Sequence, residues 1–584
     1  MIANSRLLTC FTIFSLSLIY YIYTASTYPT AFNVDNQANY HATKYIASEQ
    51  KLPVVGVDNK DIYYSGIGTS RSTRPPLTFI VSAVVYKLTQ PFELEEVTRL
   101  RLGSALIASA TMVVVYLGLL VGLKNHWLAL LGVFSIGLLP RFVMLASCNN
   151  DDIGAIFSVS LVISSLLYYQ KHYARTKAYL AVPASLGLLM LSKFSAWLCL
   201  PIVGLYLLVT PFRNVLLSVK KLLLATLLFL VFGGWWLIFN AVNYGIDDPT
   251  GLGNARSIQE TRIDLPANQR GYLTVGVGLS DLLSNYDQFL TKSYKSTIGY
   301  IQWVKLDMSK AVYLFYCALF VIAVGYAFVC SARGFRRRNY FELMLLLSIV
   351  MQIVFYLHHN LVRDQQPQGR YILPMILPLV YLFLLWLHNL PKLTLTFSVG
   401  KKNVVMSEPL AVFLSAFLIL CHIDNHFNYV RPIYQHDSHH LIAARSKTLD
   451  LVNLFTPRSE SNITSSIQSD AILLNRVGEG RAYAIVNPKL CDFIDDNSIL
   501  TLTVEAESKG GMYVMLDTFG DGSYENKIWQ SFRGQGRHAL VFAIQNKGCS
   551  SIKISLSNSL QRLSISKAEV RKLMMHRHGL PIVR

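Results

Sequence analysis

The amino-acid sequence predicts an α-helical multi-pass membrane protein with an all-β sandwich domain at its C-terminal end. Three observations carry that reading. The chain is 52% hydrophobic and only 15% charged, with a mean hydropathy of +0.37, unlike the balance of a soluble enzyme. Its first 425 residues repeat apolar stretches long enough to cross a hydrocarbon core about 30 Å thick. Further along, Leu500-Thr-Leu-Thr-Val-Glu, Ile552-Lys-Ile-Ser-Leu and Leu563-Ser-Ile-Ser alternate with the period of a strand.

In chain order, eleven spans are expected, near 7–24, 102–123, 127–146, 153–170, 178–193, 195–210, 222–239, 311–330, 340–357, 371–388 and 408–423. The first ends in Thr24-Ala25-Ser26, small residues of the kind found at a cleavage site. Its apolar run is long for a leader and reads as an uncleaved anchor. Residues 77–88 form an apolar stretch too short to cross. The basic residues settle its place. Without 77–88, Arg6, Lys124, Lys171, Arg175, Lys177, Arg213, Lys220, Lys221, the Arg333/Arg336/Arg337/Arg338 cluster, Lys392, Lys401 and Lys402 share one side. Counting it as a span divides them, against the positive-inside rule. The stretch therefore reads as an amphipathic helix along the outer surface.

This topology predicts a cytoplasmic N-terminus and an extracytoplasmic tail in the cell (cytoplasmic or inner) membrane. It also places large outer loops at 25–101 and 240–310, and a shorter one at 358–370. The net charge of +19 is explained by these orientation signals, so no nucleic-acid partner is expected. Cys10, Cys148, Cys199, Cys317, Cys330 and Cys421 lie in or beside apolar segments and read as packing residues. Cys491 and Cys549 lie in the tail and would pair in an oxidising compartment.

Three domains are delimited: 1–425 in the membrane, 426–475 as a connecting segment and 476–584 as the sandwich. Gly510-Gly511, Gly520-Asp521-Gly522 and Asn546-Lys-Gly supply turns. Asp517-Thr-Phe-Gly-Asp-Gly-Ser-Tyr-Glu lacks the spacing of a calcium loop and reads as a hairpin turn. Asn462-Ile-Thr is a glycosylation sequon.

Two polar islands interrupt the membrane part: Asp35 after the first span, and Asn149-Asn150-Asp151-Asp152 between two later ones. A carboxylate at the end of a span is costly to desolvate and marks a water-filled cavity. Other polar motifs follow in order. They are Ser72-Thr-Arg-Pro-Pro-Leu, Arg99-Leu-Arg-Leu, Leu139-Pro, Ser192-Lys193-Phe194, Gly234-Trp-Trp, Asn243-Tyr-Gly and Gln368-Gly-Arg-Tyr-Ile-Leu-Pro.

In order and spacing over residues 1–425, this series resembles the GT-C membrane glycosyltransferases, the class of the protein O-mannosyltransferases and the lipid A aminoarabinose transferase. Asn36 stands where many relatives carry a second acidic residue, and Arg74 where many have His or Gln before Pro-Pro. The resemblance implies transfer of one sugar, with inversion, from a polyprenyl-phosphate donor to a lipid, polysaccharide or protein acceptor.

Chemistry supports the same division of labour. No nucleotide sugars are available outside the membrane, so the donor must arrive on a lipid and leave its phosphate behind. A carboxylate must then take the acceptor proton, and fixed cations must steady the departing phosphate. Asp35 is the expected base, with Asp151 orienting the acceptor or supporting the base. Arg370, Lys193 and Tyr371 are the expected phosphate ligands, and Asn150, Gln368 and Arg74 the further substrate contacts.

Simpler roles stay open: a solvated loop Asp35, a helix cap at Asn150, Asp151 or Asp152, and snorkelling cations at Arg370, Lys193 and Arg74. His358-His359 is read as interfacial, so no metal ligand is assigned, although a divalent cation between the two acidic loops stays open. Thr291-Lys-Ser-Tyr-Lys-Ser-Thr-Ile-Gly-Tyr-Ile-Gln-Trp, with Lys292 and Lys295, is either a lid or an aromatic belt. A transporter or flippase of lipid-linked sugars would need the same cavity without a base, but no internal repeat of that kind is evident. A membrane-anchored glycan receptor would leave the spans unexplained.

Overall fold

Helix length decides which apolar stretches can cross a bilayer, because each residue adds only about 1.5 Å of rise. The computed structural model describes residues 2–28, 36–58, 62, 70–173, 175–210, 212, 218–262, 271–299, 307–337, 340–390, 393–397, 400–404, 406–430, 446–448, 450, 459–468, 471–477, 482–493, 498–507, 510–517, 526–532, 536–544, 551–556 and 561–572. The chain divides into two units, residues 1–299 with 310–422, and residues 300–309 with 423–584.

The first unit opens with α1 (Ile2–Thr27), α2 (Asn36–Glu49), α3 (Leu77–Leu88), α4 (Glu96–Leu123), α5 (His126–Gly137), α6 (Pro140–Ala146), α7 (Asp151–His172) and α8 (Thr176–Met190). It continues with α9 (Leu200–Val209), α10 (Val219–Phe229), α11 (Trp235–Tyr244), α12 (Leu252–Arg262), α13 (Leu279–Leu283) and α14 (Phe289–Ile298). The last helices are α15 (Lys310–Arg337), α16 (Phe341–Val362), α17 (Ile376–His388) and α18 (Ser407–Asp424), with a hairpin of β1 (Leu393–Phe397) and β2 (Gly400–Val404) between α17 and α18.

Among the described residues, eight helices are long and apolar enough to cross, or nine if the bent pair α5–α6 makes one span. The expected eleven are therefore not confirmed. The difference lies at 178–193 and 195–210, which fold as two short apolar helices, Thr176–Met190 and Phe194–Val209. Lys193 stands at the break and caps the 3₁₀ turn Phe194–Cys199. The 69° bend of α5–α6 falls where Pro140, which has no amide proton to donate, starts α6.

Close contacts hold α3, α4 and α7 together. A Cβ on Gly103 of α4 would sit 2.3 Å from the Ser82 Cα of α3, so only glycine permits this approach. Arg101, 1% exposed, closes the end of α1. Its guanidinium donates to the carbonyls of Ala25 (2.8 Å) and Tyr28 (2.5 Å) and, through Nε, to the Tyr40 hydroxyl of α2 (3.1 Å). The last carbonyls of a helix need donors from outside it, and the arginine is one such donor.

The second unit contains two antiparallel sheets. Its strands are β3 (Ser446–Thr448), β4 (Ser459–Ser461), β5 (Ile463–Gln468), β6 (Ala471–Arg476), β7 (Ala482–Ile485), β8 (Ser498–Ala506), β9 (Gly510–Asp517), β10 (Asn526–Phe532), β11 (Gly536–Ile544), β12 (Ser551–Leu556) and β13 (Arg562–Lys572). One sheet runs β10-β9-β12-β7-β4 and the other β11-β8-β13-β6-β5, with β3 added beside β13. Alternate residues enter the core: Leu500, Leu502 and Val504 from β8, Ile552, Ile554 and Leu556 from β12, and Leu563 and Ile565 from β13.

Strands β3 to β6 lie within the expected connecting segment 426–475 or run across its end, and Ile463, Ile472 and Leu474 join the core. β-structure thus begins well before residue 476. Cys491 is disulfide-bonded, while Cys549 and the Gly520-Asp521-Gly522 turn lie outside the described residues.

Candidate active site

Four segments far apart in sequence meet at the start of α7. Asn150 caps that helix, its Oδ1 accepting from the Asp152 amide at 2.8 Å, and this holds Asp151 and Asp152 in the first turn. Pro75-Pro76 separates Arg74 from α3, and the Leu77 amide donates to the Leu191 carbonyl at 2.8 Å. That one bond draws the Arg71–Thr73 turn and Arg74 toward Lys193. The 3₁₀ turn Gly369–Met375 brings in Arg370 and Tyr371.

These segments build a buried charge cluster. Arg74 Nη1 lies 2.7 Å from Asp151 Oδ2, and Lys193 Nζ lies 3.2 Å from Asp151 Oδ1 and 2.7 Å from Asp152 Oδ1. Arg370 Nε stands 3.8 Å from Asp152 Oδ2. The Asp152 side chain is 1% exposed and that of Lys193 9%, whereas Arg74 keeps 26%, so the cluster opens on the Arg74 side. Arg71 is within electrostatic range of Asp151, and Arg141 of both Arg370 and Asp152. Among the described residues, Arg74, Lys193 and Arg370 thus pair directly with the two carboxylates. Buried charges persist only when countered, and these contacts counter Asp151 and Asp152.

Tyr371 supports the cations from below. Its ring centroid lies 5.3 Å from Lys193 Nζ and 5.5 Å from the Arg370 guanidinium carbon. The Tyr371 hydroxyl donates to Gln366 Oε1 at 2.5 Å, and the Gln366 amide donates to Asn360 Oδ1 at 2.8 Å. Gln352 Nε2 donates to the Tyr371 carbonyl at 2.6 Å. The hydroxyl proton expected for phosphate is thus engaged by Gln366, and Tyr371 acts through its ring.

The other expected residues divide in two. Arg74, Lys193, Arg370 and Asp151 meet. Asn150 is fully buried and serves as the α7 cap, and Gln368 lies at the edge, its carbonyl accepting from the Tyr371 amide at 3.4 Å. Asp35 lies outside the described residues. The next residue, Asn36, opens α2, and that helix is joined to the acidic loop. Asn39 Nδ2 donates to the Asn149 carbonyl at 2.6 Å, and Asn149 Nδ2 donates to Thr43 Oγ1 at 2.8 Å.

His359 packs against Phe355 and Tyr371, and among the described residues no group of three His, Cys, Asp or Glu converges as a metal ion would need. In the expected lid, Lys292 pairs with Asp287 at 2.9 Å, while residues 300–303 lie outside the described residues. Asp152 and Arg141 went unmarked as site residues in the sequence. A second acid in a capped first turn and an arginine just after Leu139-Pro140 were the available signals.

The fold and its charge cluster define a multi-pass helical membrane protein. Residues 58–380, just over half of the chain, match the family described as "Predicted membrane protein (DUF2142)", and the chain belongs to that family. No curated protein matches it. Among solved structures it is similar to ArnT from Cupriavidus metallidurans bound to undecaprenyl phosphate, at 17% identity and TM-score 0.43, over 65% of this chain and 60% of that one. It is also similar to the Archaeoglobus fulgidus oligosaccharyltransferase complex with Zn and sulfate, at 14% identity and TM-score 0.41, over 71% of this chain and 51% of that one. A family 29 carbohydrate binding module from Piromyces equi matches 22% of this chain and 89% of its own, at 10% identity and TM-score 0.18. This chain thus spans less than two thirds of the length of the first two of these structures.

Proposed function

We propose that this protein is a glycosyltransferase that moves a sugar from a polyprenyl-phosphate donor to a lipid, polysaccharide or protein hydroxyl at the outer face of the cytoplasmic membrane. The observation that carries the reading is the cluster of Arg74, Lys193 and Arg370 on Asp151 and Asp152. The cluster sits where α7 begins and the Gly369–His388 span starts, within reach of a phosphate on a membrane lipid.

Arg370 and Lys193 would bind the donor phosphate, with Arg74 at the open side. Asp151, paired with Arg74 and Lys193, holds those cations in place and is poorly suited to accept a proton. Asp35 is the proposed base. The bonds that join α2 to Asn149 support an acidic first loop close to the cations. The tail would stand outside the cell, in keeping with the disulfide at Cys491.

Membranes given a labelled polyprenyl-phosphate sugar test the reading. Wild type is expected to transfer label to an endogenous acceptor, and Asp35→Asn to lose roughly a hundredfold or more in rate. Equal transfer by both would remove Asp35 as the base. Lipid-sugar that crosses liposome membranes without ever being transferred would make the protein a flippase instead.

A further inference from the structure

Residues 271–290, in a loop expected outside, are seated on α16 at a depth that their packing fixes. A Cβ on Gly271 would lie 2.2 Å from the Leu361 carbonyl oxygen, so only glycine lets the chain meet the last turn of that helix. From there Tyr272, Val277, Leu282 and Phe289 form a buried core with Tyr356, and Phe289 stacks on the Tyr356 ring at 5.8 Å between centroids. Tyr356 lies about 9 Å along the axis from Val362, where α16 ends. The 22 residues of α16 rise about 33 Å, close to the thickness of the hydrocarbon core. The segment therefore covers the boundary between headgroups and acyl chains.

Its other side is apolar as well. Leu273, Leu279, Leu283, Tyr286 and Leu290 are between 39% and 54% exposed. On α13 the residues sort by angle. Leu279 and Leu283 share one face, and Leu282 enters the core. Asp281 stands about 200° round the axis from Leu279, and its carboxylate accepts from the Gly278 amide at 2.7 Å. A helix lying in a membrane surface needs that division. At the same levels of α16, Val354, Phe355 and Val362 are exposed, as on a span that meets lipid. A soluble partner would have to displace lipid at this depth, which favours lipid itself as the occupant.

We propose that residues 272–290 form a membrane-docking surface, with Leu279 and Leu283 set among the acyl chains of the outer leaflet and Asp281 turned toward water. Tyr286, Tyr272, Phe289, Tyr356 and Tyr371 make successive ring contacts of 5.8–6.4 Å, and Tyr371 lies beneath Lys193 and Arg370. The docked surface thus shares one packed core with the ring that supports the cations.

The test places the full-length protein in nanodiscs of phosphatidylethanolamine and phosphatidylglycerol. The photocrosslinker p-benzoylphenylalanine replaces Leu279, Leu283 or Ser284 in turn, and mass spectrometry identifies what each position captures. Ser284 is the comparison, exposed and about 140° round the helix from Leu279. Lipid adducts at positions 279 and 283 are expected to exceed those at 284 by about fivefold or more.

Adducts at 279 and 283 that are mainly to protein, whether a second copy or another segment of this chain, would overturn the proposal. So would equal lipid capture at all three positions, or none. Should the variant at Leu279 or Leu283 not fold, Leu273 and Leu290 take its place under the same expectation. Sugar transfer plays no part in the measurement, so a protein without transferase activity would dock equally.

Discussion

The backbone amide of Leu77 donates to the carbonyl of Leu191 across 2.8 Å, linking segments more than a hundred residues apart. Arg74 precedes the first by three residues and Lys193 follows the second by two, so one peptide contact brings two cations onto Asp151.

Lys193 bridges both aspartates from a buried position. Lys193→Met should remove the ammonium that both carboxylates bind and cost about 3–5 kcal/mol of stability. The triple change Lys193→Met, Asp151→Asn, Asp152→Asn should cost less than the single one. Thermal unfolding of the purified protein in detergent measures both, and an unaltered transition in the single variant would count against the bridge.

Arg101 should be irreplaceable by lysine. Its planar fork meets Ala25, Tyr28 and Tyr40 at once, and a single ammonium cannot reproduce that. Arg101→Lys and Arg101→Leu should each lose about 1–3 kcal/mol and open the α1–α2 connection to proteolysis. Mass-spectrometric mapping of the cut sites would show whether cleavage falls there.

Asp364, between the last two helices of the site, has its carboxyl pushed above the usual range by burial, and the bond from Gln366 only partly offsets this. Its folded pKa therefore exceeds its unfolded one, so the folded state holds its proton more tightly. Stability falls as pH rises from the ordinary aspartate range through the folded pKa, and the cost stays in force above it. Asp364→Asn should flatten this segment of the profile and raise stability at neutral pH. Unfolding curves taken across the acidic range would reveal the missing slope.

The proposed topology makes its own forecast. Val57 and Ile246 are 80% and 84% exposed, in loops expected outside, and Tyr173, 64% exposed, is expected inside. An impermeant maleimide should label Val57→Cys and Ile246→Cys in intact cells, but Tyr173→Cys only after permeabilisation. Labelling of all three in intact cells would overturn the assigned orientation.

Much of this could be read from residues alone. The apolar stretches around Met112 and Val380 and the period-two run at Leu500 are local signals, and they produced the helices and strands expected. Arg74, Lys193 and Arg370 were also legible, because cations next to Pro-Pro, at a helix break and after Gln-Gly stand out in apolar surroundings. What escaped depended on distant partners. Lys193 interrupts two stretches that read as full spans, since its carboxylate partners lie 41 and 42 residues upstream. Arg141 owes its place to Ser296, 155 residues downstream, and nothing in the intervening sequence announces that bond.

The Pro75-Pro76 step acts as a ruler. Proline has few backbone conformations, so the span from Arg74 to the anchored Leu77 amide is nearly fixed in length. A change of length before Ser70 leaves the step from Arg74 to Leu77 unaltered among descendants of this gene. A single codon lost between Arg74 and Leu77 would swing the guanidinium away from its aspartate. Natural variation in length should therefore crowd on one side of the arginine and be absent from the other.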